Sequence, residues 1–181
     1  GATDGGDAPT QTIAPPISRL VGLEAAVLCN GAEIDDGKVT GDPTETALLV
    51  LGVTAGLDLG EIRSRPRIAE VPFDSATKLM ATVHPEGSGA FVAVKGAPDV
   101  LLDLCTTIVT SDGVVGLDDT RRQQVQAQIG ELAEEGLRTL GVATRHLADE
   151  PNADGDPADL VNELTFELVV GIVDPPRPGV D

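Results

Sequence analysis

Aromatic residues are almost missing from this 181-residue chain: it has no tryptophan, no tyrosine and three phenylalanines, so any core must be built from Val, Leu, Ile and Ala. Lysine is equally rare. Lys38, Lys78 and Lys95 are the full set against 30 carboxylates, and the formal net charge is -18. A surface of that sign repels nucleic acid and anionic membranes in general, which argues against both as partners, although a local basic cluster can still reverse the field. No apolar run approaches the roughly 18 residues that cross a bilayer, and no signal-peptide pattern opens the sequence, so a soluble domain without direct membrane contact is expected. Only two cysteines are present, Cys29 and Cys105, far apart and in apolar helical surroundings, which favours buried free thiols of a cytosolic protein over a disulfide.

What is there suits one globular domain large enough to bury a real core. High Ala, Gly and Asp with little Lys is the usage of a GC-rich bacterium. Residues 1–16, rich in Gly, Asp, Thr and Pro, read as a linker or disordered lead-in. Residues 17–30 carry Leu20, Leu23, Ala26 and Val27 at helical spacing, and residues 31–41 read as a polar loop. Asp42-Pro43-Thr44-Glu45 then opens a helix to about Ala55, with Asp42 as N-cap, Pro43 at N1 and Glu45 at N3. A strand is expected over residues 67–74 and a hairpin over 78–84 and 90–95. A short helix follows over 98–105, and a second hairpin turns at Asp112-Gly113. Val125, Ile129 and Leu132 mark the inward face of a helix over 120–135 that Gly136 stops. Strands over 137–147 and 166–173 come next, and Asp174-Pro175-Pro176-Arg177-Pro178 marks a boundary. The fold class expected is α+β, a mainly antiparallel β-sheet flanked by helices, over residues 17–173.

Two of the three lysines and one of the three phenylalanines fall in Phe73-Asp74-Ser75-Ala76-Thr77-Lys78 and Lys95-Gly96-Ala97-Pro98. If the hairpin pairs symmetrically, Lys78 and Lys95 face each other, and an anion between them would relieve the repulsion. Lys95-Gly96-Ala97 also leads into a helix N-terminus, where free amides favour negative charge. Phe73, beside Pro72 and Asp74, suits a strand rim where a ring could stack on a base. A flat anion such as a nucleotide fits this combination. The same residues fit plainer roles: lysines in solvent, Phe73 in the core, Glu45 in a capping box, Arg138 compensating a helix C-terminus. A phosphate loop over 31–38 fails on its glycine spacing and on Val39 in place of Ser or Thr. Asp35-Asp36-Gly37 and Asp154-Gly155-Asp156 lack the other ligands of a calcium loop, and His84 and His146 have no metal-like spacing.

Taken in order, Gly41-Asp42-Pro43-Thr44-Glu45-Thr46-Ala47-Leu48, Pro72-Phe73-Asp74-Ser75 with Lys78 and Met80, Lys95-Gly96-Ala97-Pro98 and Leu137-Arg138-Thr139-Leu140 resemble the nucleotide-binding domain of P-type cation-transporting ATPases. Leu28-Cys29-Asn30 and Asp174-Pro175-Pro176-Arg177 resemble that family's flanking signatures, so the likeness covers nearly the whole chain. Heavy-metal pumps lack the Phe and KGAP elements, which places the resemblance in the type II branch of calcium and sodium/potassium pumps. It implies the sheet-and-helix fold described above. It implies ATP, arriving as Mg-ATP, as the ligand: Glu45 on the adenine amino group, Phe73 stacked on the ring, Lys95, Gly96 and Ala97 lining the base cavity, Leu140 near the base, and Lys78 and Arg138 on the phosphates. Asp99 stands where many relatives have Glu, a mild departure.

The family's phosphorylation motif Asp-Lys-Thr-Gly-Thr and its transmembrane helices do not occur in these 181 residues. The resemblance therefore implies an excised cytoplasmic domain of an integral plasma-membrane protein. Its first residues would be the strand-like lead out of the phosphorylation domain, and residues 174–181 would be the hinge back to it. Such a domain binds ATP and presents the γ-phosphate to an aspartate of its neighbour, without turnover on its own. The alternative is a freestanding acidic interaction domain that has this fold and no nucleotide pocket. A complete hydrolase is disfavoured, since no nucleophile with a positioned base is visible.

Overall fold

Long runs of Val, Ala and Thr set up strands, and in the computed structural model, which describes residues 10–13, 16–36 and 38–173, they assemble one eight-stranded sheet. The elements are β1 (Thr10–Ile13), α1 (Pro16–Leu28), β2 (Glu33–Asp35), β3 (Lys38–Thr40), α2 (Pro43–Thr54), α3 (Leu59–Arg63), β4 (Ala69–Asp74), β5 (Leu79–Glu86), β6 (Gly89–Gly96), α4 (Pro98–Leu104), β7 (Cys105–Thr110), β8 (Gly113–Gly116), α5 (Asp119–Glu134), β9 (Arg138–Leu147), a 3-10 turn (Pro157–Leu160) and β10 (Leu164–Ile172). The strand order is β4-β5-β6-β9-β10-β7-β8, with β1 also on β10. Every neighbouring pair is antiparallel except β10 with β7. This is the α+β arrangement expected, with helices on both faces.

Covering both faces explains why β5 and β6 read as nearly continuous apolar runs rather than alternating ones. Met80, Phe91, Ala93, Val142, Leu168 and Val170 pack on one face under α1, α2 and α3, together with Leu23, Leu48, Leu49 and Ile62. On the other, Ala81, Val83, Val92, Val94, Ala143 and Phe166 meet Leu101 and Leu102 of α4 and Val125 and Leu132 of α5. α5 forms where the apolar spacing places it. Asp118 Oδ1 accepts from the Arg121 amide at 2.8 Å, and Gly136, at φ +79°, ends the helix in a conformation that a side chain would strain. Cys29 and Cys105 are both free and buried, and burial pushes their thiols up to about 11 and about 12.

Three local expectations are corrected, and one helix stands where none was assigned. Thr10–Ile13 is not part of a linker but pairs antiparallel with Val169–Ile172 of β10, because that stretch of β10 has an open edge beyond the end of β7. The loop over residues 31–41 holds the β2–β3 hairpin, whose alternation is too short to detect. α3, capped by Asp58 through the Glu61 amide, fell in a stretch with no clear period. Finally, the β5–β6 turn is tighter than its Pro-Glu-Gly-Ser-Gly sequence suggests. Glu86 pairs with Gly89, so Lys95 lies opposite Met80 rather than Lys78. The expectations for residues 1–9 and 174–181 lie outside the described residues.

One buried polar group beneath the first helical layer carries a pH prediction. His84 is 2 % exposed, with Nδ1 2.9 Å from the Pro66 carbonyl and Nε2 2.8 Å from Thr82 Oγ1. A carbonyl can only accept, so Nδ1 carries the proton and the threonine hydroxyl donates to Nε2. Burial holds the pKa below its ordinary 6.5; the Pro66 carbonyl opposes this, and the Arg67 and Arg65 charges reinforce it. As pH falls through about 6.5 the unfolded chain takes up a proton that the folded one refuses, so stability drops on acidification. Thermal melts between about pH 7.5 and about pH 5.5 should show a steeper loss for the wild type than for His84→Gln. Parallel curves would refute the assignment.

Candidate functional site

The site grows from the N-terminus of α2. Asp42 Oδ1 accepts from the Thr44 amide at 2.8 Å and Pro43 occupies the first turn, so the helix starts where Thr44 and Glu45 face the end of β6. The Glu45 carboxylate does not turn back on its own helix as a capping box would. Its Oε1 accepts from the Gly31 amide at 3.1 Å and from Lys95 Nζ at 2.5 Å. The Lys95 side chain is 8 % exposed and that of Glu45 21 %, so this is a mostly buried ion pair rather than a surface one. Lys95 is buried because it shares the face of β6 that holds Phe91 and Ala93, one residue before the sheet ends.

β9 supplies two more groups. Arg138 opens the strand directly after the turn at Gly136, and its Nη1 donates to Thr44 Oγ1 at 3.3 Å. Leu140, two residues on and on the same face, packs against the core under α1 and α2. From the other side comes the end of β4. The register of β4 with β5 shifts between Val71 and Asp74, and Asp74 Oδ1 accepts from the Ala76 amide at 2.7 Å to start the turn. That irregularity leaves Phe73 64 % exposed, so it is a rim residue and not a core one.

Glu45, Phe73, Lys95, Gly96, Arg138 and Leu140 line a single cavity of about 510 Å³, together with Asp42, Thr44 and Met80. Six of the eight residues singled out in the sequence therefore converge. Lys78 and Ala97 are not in the lining. Lys78 sits in the β4–β5 turn at φ +60°, exposed, and its carbonyl accepts from the Ala97 amide at 3.0 Å. Ala97 is the residue before the first turn of α4. The fold alone already demands glycine at position 96: a Cβ there would lie 2.4 Å from the Lys78 carbonyl oxygen. Asp42, Thr44 and Met80 also line it; all three stood in the quoted motifs, but the resemblance gave them no role. The β5–β6 register, which puts Met80 opposite Lys95, would have found Met80.

A larger cavity, about 1000 Å³, lies between the β2–β3 hairpin and α2–α3, but Glu33, Asp35 and Asp58 line it against the lone cation Arg63, which donates to the Ala32 carbonyl at 2.5 Å. An anion is disfavoured there. The cavity with Lys95 and Arg138 combines an apolar floor, an exposed ring and two cations, a composition suited to a small-molecule site of roughly 300–1,000 Å³.

Comparison with known proteins identifies the family. Residues 21–179 match a family model described as the cytoplasmic domain N of P-type ATPases. Calcium-transporting ATPase 1 of Bacillus cereus is 38% identical over 165 residues, covering 91% of this chain and 18% of that protein. Calcium-transporting ATPase type 2C member 1 of Mus musculus is 35% identical over 92% of this chain and 17% of its own length. The alpha-1 subunit of the sodium/potassium-transporting ATPase of Oreochromis mossambicus is 34% identical, with shares of 91% and 18%. The chain thus spans less than a fifth of each of these relatives, and the calcium-pump and sodium/potassium-pump resemblance read from its motifs holds. With four ordered motifs, the sheet-and-helix fold and a match over nearly its whole length, this chain belongs to the P-type ATPase family as its cytoplasmic domain N.

Proposed function

We propose that this domain binds ATP in the Lys95 cavity and presents the γ-phosphate to the phosphorylatable aspartate of a neighbouring domain in an ATP-driven cation transporter. One observation carries the reading. In a chain with only three phenylalanines and three lysines, an exposed Phe and a buried Lys meet in one cavity of about 510 Å³. An open ring face on a rim favours stacking on a base, and a desolvated ammonium favours a polar, electron-rich partner. Phe73 would hold the adenine face, with Leu140 and Met80 beneath it. Glu45 Oε2, the carboxylate oxygen not engaged by Gly31 or Lys95, would accept from the exocyclic amine. Lys95 and Gly96 would border the base, and Ala97 would support that edge from behind. Arg138, and Lys78 on its flexible stem outside the lining, would reach the phosphates.

Mg²⁺ would arrive with the nucleotide, and phosphoryl transfer would depend on the partner domain that carries the aspartate. The parent would be a membrane protein with this domain on its cytoplasmic side. No helix among the described residues is long and apolar enough to cross a membrane. The test is a titration of the isotopically labelled domain with ATP, following backbone amides. Saturable shifts confined to residues around Glu45, Phe73, Gly96 and Arg138 are expected. Flat spectra at high ATP would transfer the assignment to an acidic interaction domain.

A further inference from the structure

Asn30 touches none of the cavity, yet its contacts converge on the residue that does most to shape it. It is 1 % exposed. Its Nδ2 donates to the Glu45 carbonyl at 2.9 Å and to the Ala26 carbonyl at 3.4 Å, while its Oδ1 accepts from the Ala32 amide at 2.8 Å. Two acceptors and one donor around the amide leave one possible orientation and no unsatisfied group. The side chain thus ties the last turn of α1, the lead into β2 and the backbone of Glu45 together. The next residue completes the link: the Gly31 amide donates to Glu45 Oε1, which also holds Lys95. Arg67 secures the same segment from just ahead of β4, with Nη2 donating to the Leu28 carbonyl at 3.1 Å and to the Asn30 carbonyl at 3.4 Å.

We propose that Asn30 is a positioning residue for the Glu45–Lys95 pair and, resting on the ATP reading above, that it sets the preference of the site for adenine over guanine. Glu45 can read an exocyclic amine only if Oε1 stays bound and Oε2 faces the cavity. Adenine offers that amine at its six position and guanine offers a carbonyl oxygen, which a fixed carboxylate repels. If Asn30 releases the α2 N-terminus, Glu45 turns and the repulsion fades. Asn30→Asp is nearly isosteric and keeps the bond from the Ala32 amide. It replaces the two donated bonds by oxygen facing oxygen, against the Glu45 and Ala26 carbonyls.

Two readouts separate positioning from mere stability, both taken well below the melting temperature. The amide proton of Gly31 reports its bond to Glu45, and the ratio of GTP to ATP dissociation constants reports the carboxylate. In Asn30→Asp the Gly31 resonance should move upfield, and the ratio should contract by about tenfold, the loss expected for a single charged hydrogen bond of roughly 1.5 kcal/mol. Gly31→Ala provides a second route that leaves the buried network intact. A Cβ there would lie 3.2 Å from Glu45 Oε2, at no positive φ, so the carboxylate must shift by a few tenths of an ångström and a smaller contraction in the same direction is expected. An unchanged Gly31 resonance and ratio in folded Asn30→Asp, or an unchanged ratio in Gly31→Ala, would overturn the proposal. A wild type that binds neither nucleotide would instead refute the ATP reading, and the Gly31 resonance would still decide whether Asn30 orients Glu45.

Discussion

Lys95→Met is expected to weaken ATP binding by roughly 10- to 100-fold, the range that follows from losing a charged hydrogen-bonding group of about 1.5–3 kcal/mol. Methionine matches the length of the lysine stem and suits the apolar floor, so the side chain can stay in place while its charge goes. The fold will feel the change as well. Glu45, 21 % exposed at its side chain, loses its partner and keeps only the Gly31 amide on Oε1. Breaking one member of a buried pair costs more than removing both. Lys95→Met should therefore melt earlier than the wild type, and the double variant Lys95→Met with Glu45→Gln should recover much of that loss. Calorimetric titration of the double variant decides the matter. Recovered stability with ATP affinity still below that of Glu45→Gln alone assigns the effect of Lys95 to the site, whereas affinity equal to that of Glu45→Gln alone would mean that Lys95 serves the fold alone.

Phe73→Ala is the complementary case, a loss of binding with little effect on stability. Base-aromatic stacking is worth roughly 1–3 kcal/mol, which corresponds to about a 5- to 150-fold weaker complex. Phe73 is 64 % exposed and belongs to neither core cluster, so its truncation leaves no cavity behind. Circular dichroism melts of wild type and variant should superimpose, while the ATP dissociation constant rises. Phe73→Trp should hold affinity close to that of wild type because it keeps a stacking face. A melting temperature that falls together with affinity would place Phe73 in the structure rather than in the site. Affinity that does not change would remove the ring from the nucleotide reading altogether.

Some of this was plain in the residues, and the reasons differ by element. The α2 N-terminus could be read to the residue, because Asp42-Pro43 is a local signal that needs no tertiary partner. α5 and its stop at Gly136 were readable for the same reason. The place of β1 was not readable: composition gave a linker, the resemblance only a strand-like lead, and Thr10–Ile13 pairs with an edge of β10 some 160 positions later in the chain. Lys78 shows the same limit within a hairpin. Its distance from Lys95 depends on whether the turn holds two residues or more, and Gly87, at φ +55°, allows the tighter choice. Asn30 stood in a quoted flanking signature, but nothing in three consecutive letters indicates that its amide meets the backbone of Glu45, fifteen positions away.

By itself the sequence determined the chemistry available: which few residues can stack on a base or bind an anion, where helices begin and stop, and which family the ordered motifs resemble. Those are properties of residue type and near neighbours, and they survive without a fold. Only the tertiary structure decided that Lys95 is buried against Glu45, that Phe73 is exposed, and that Arg138 reaches Thr44, ninety-four positions earlier. Burial and ion pairing between distant residues are set by sheet register and helix docking, and these are fixed by the packing of the whole chain rather than by any segment of it.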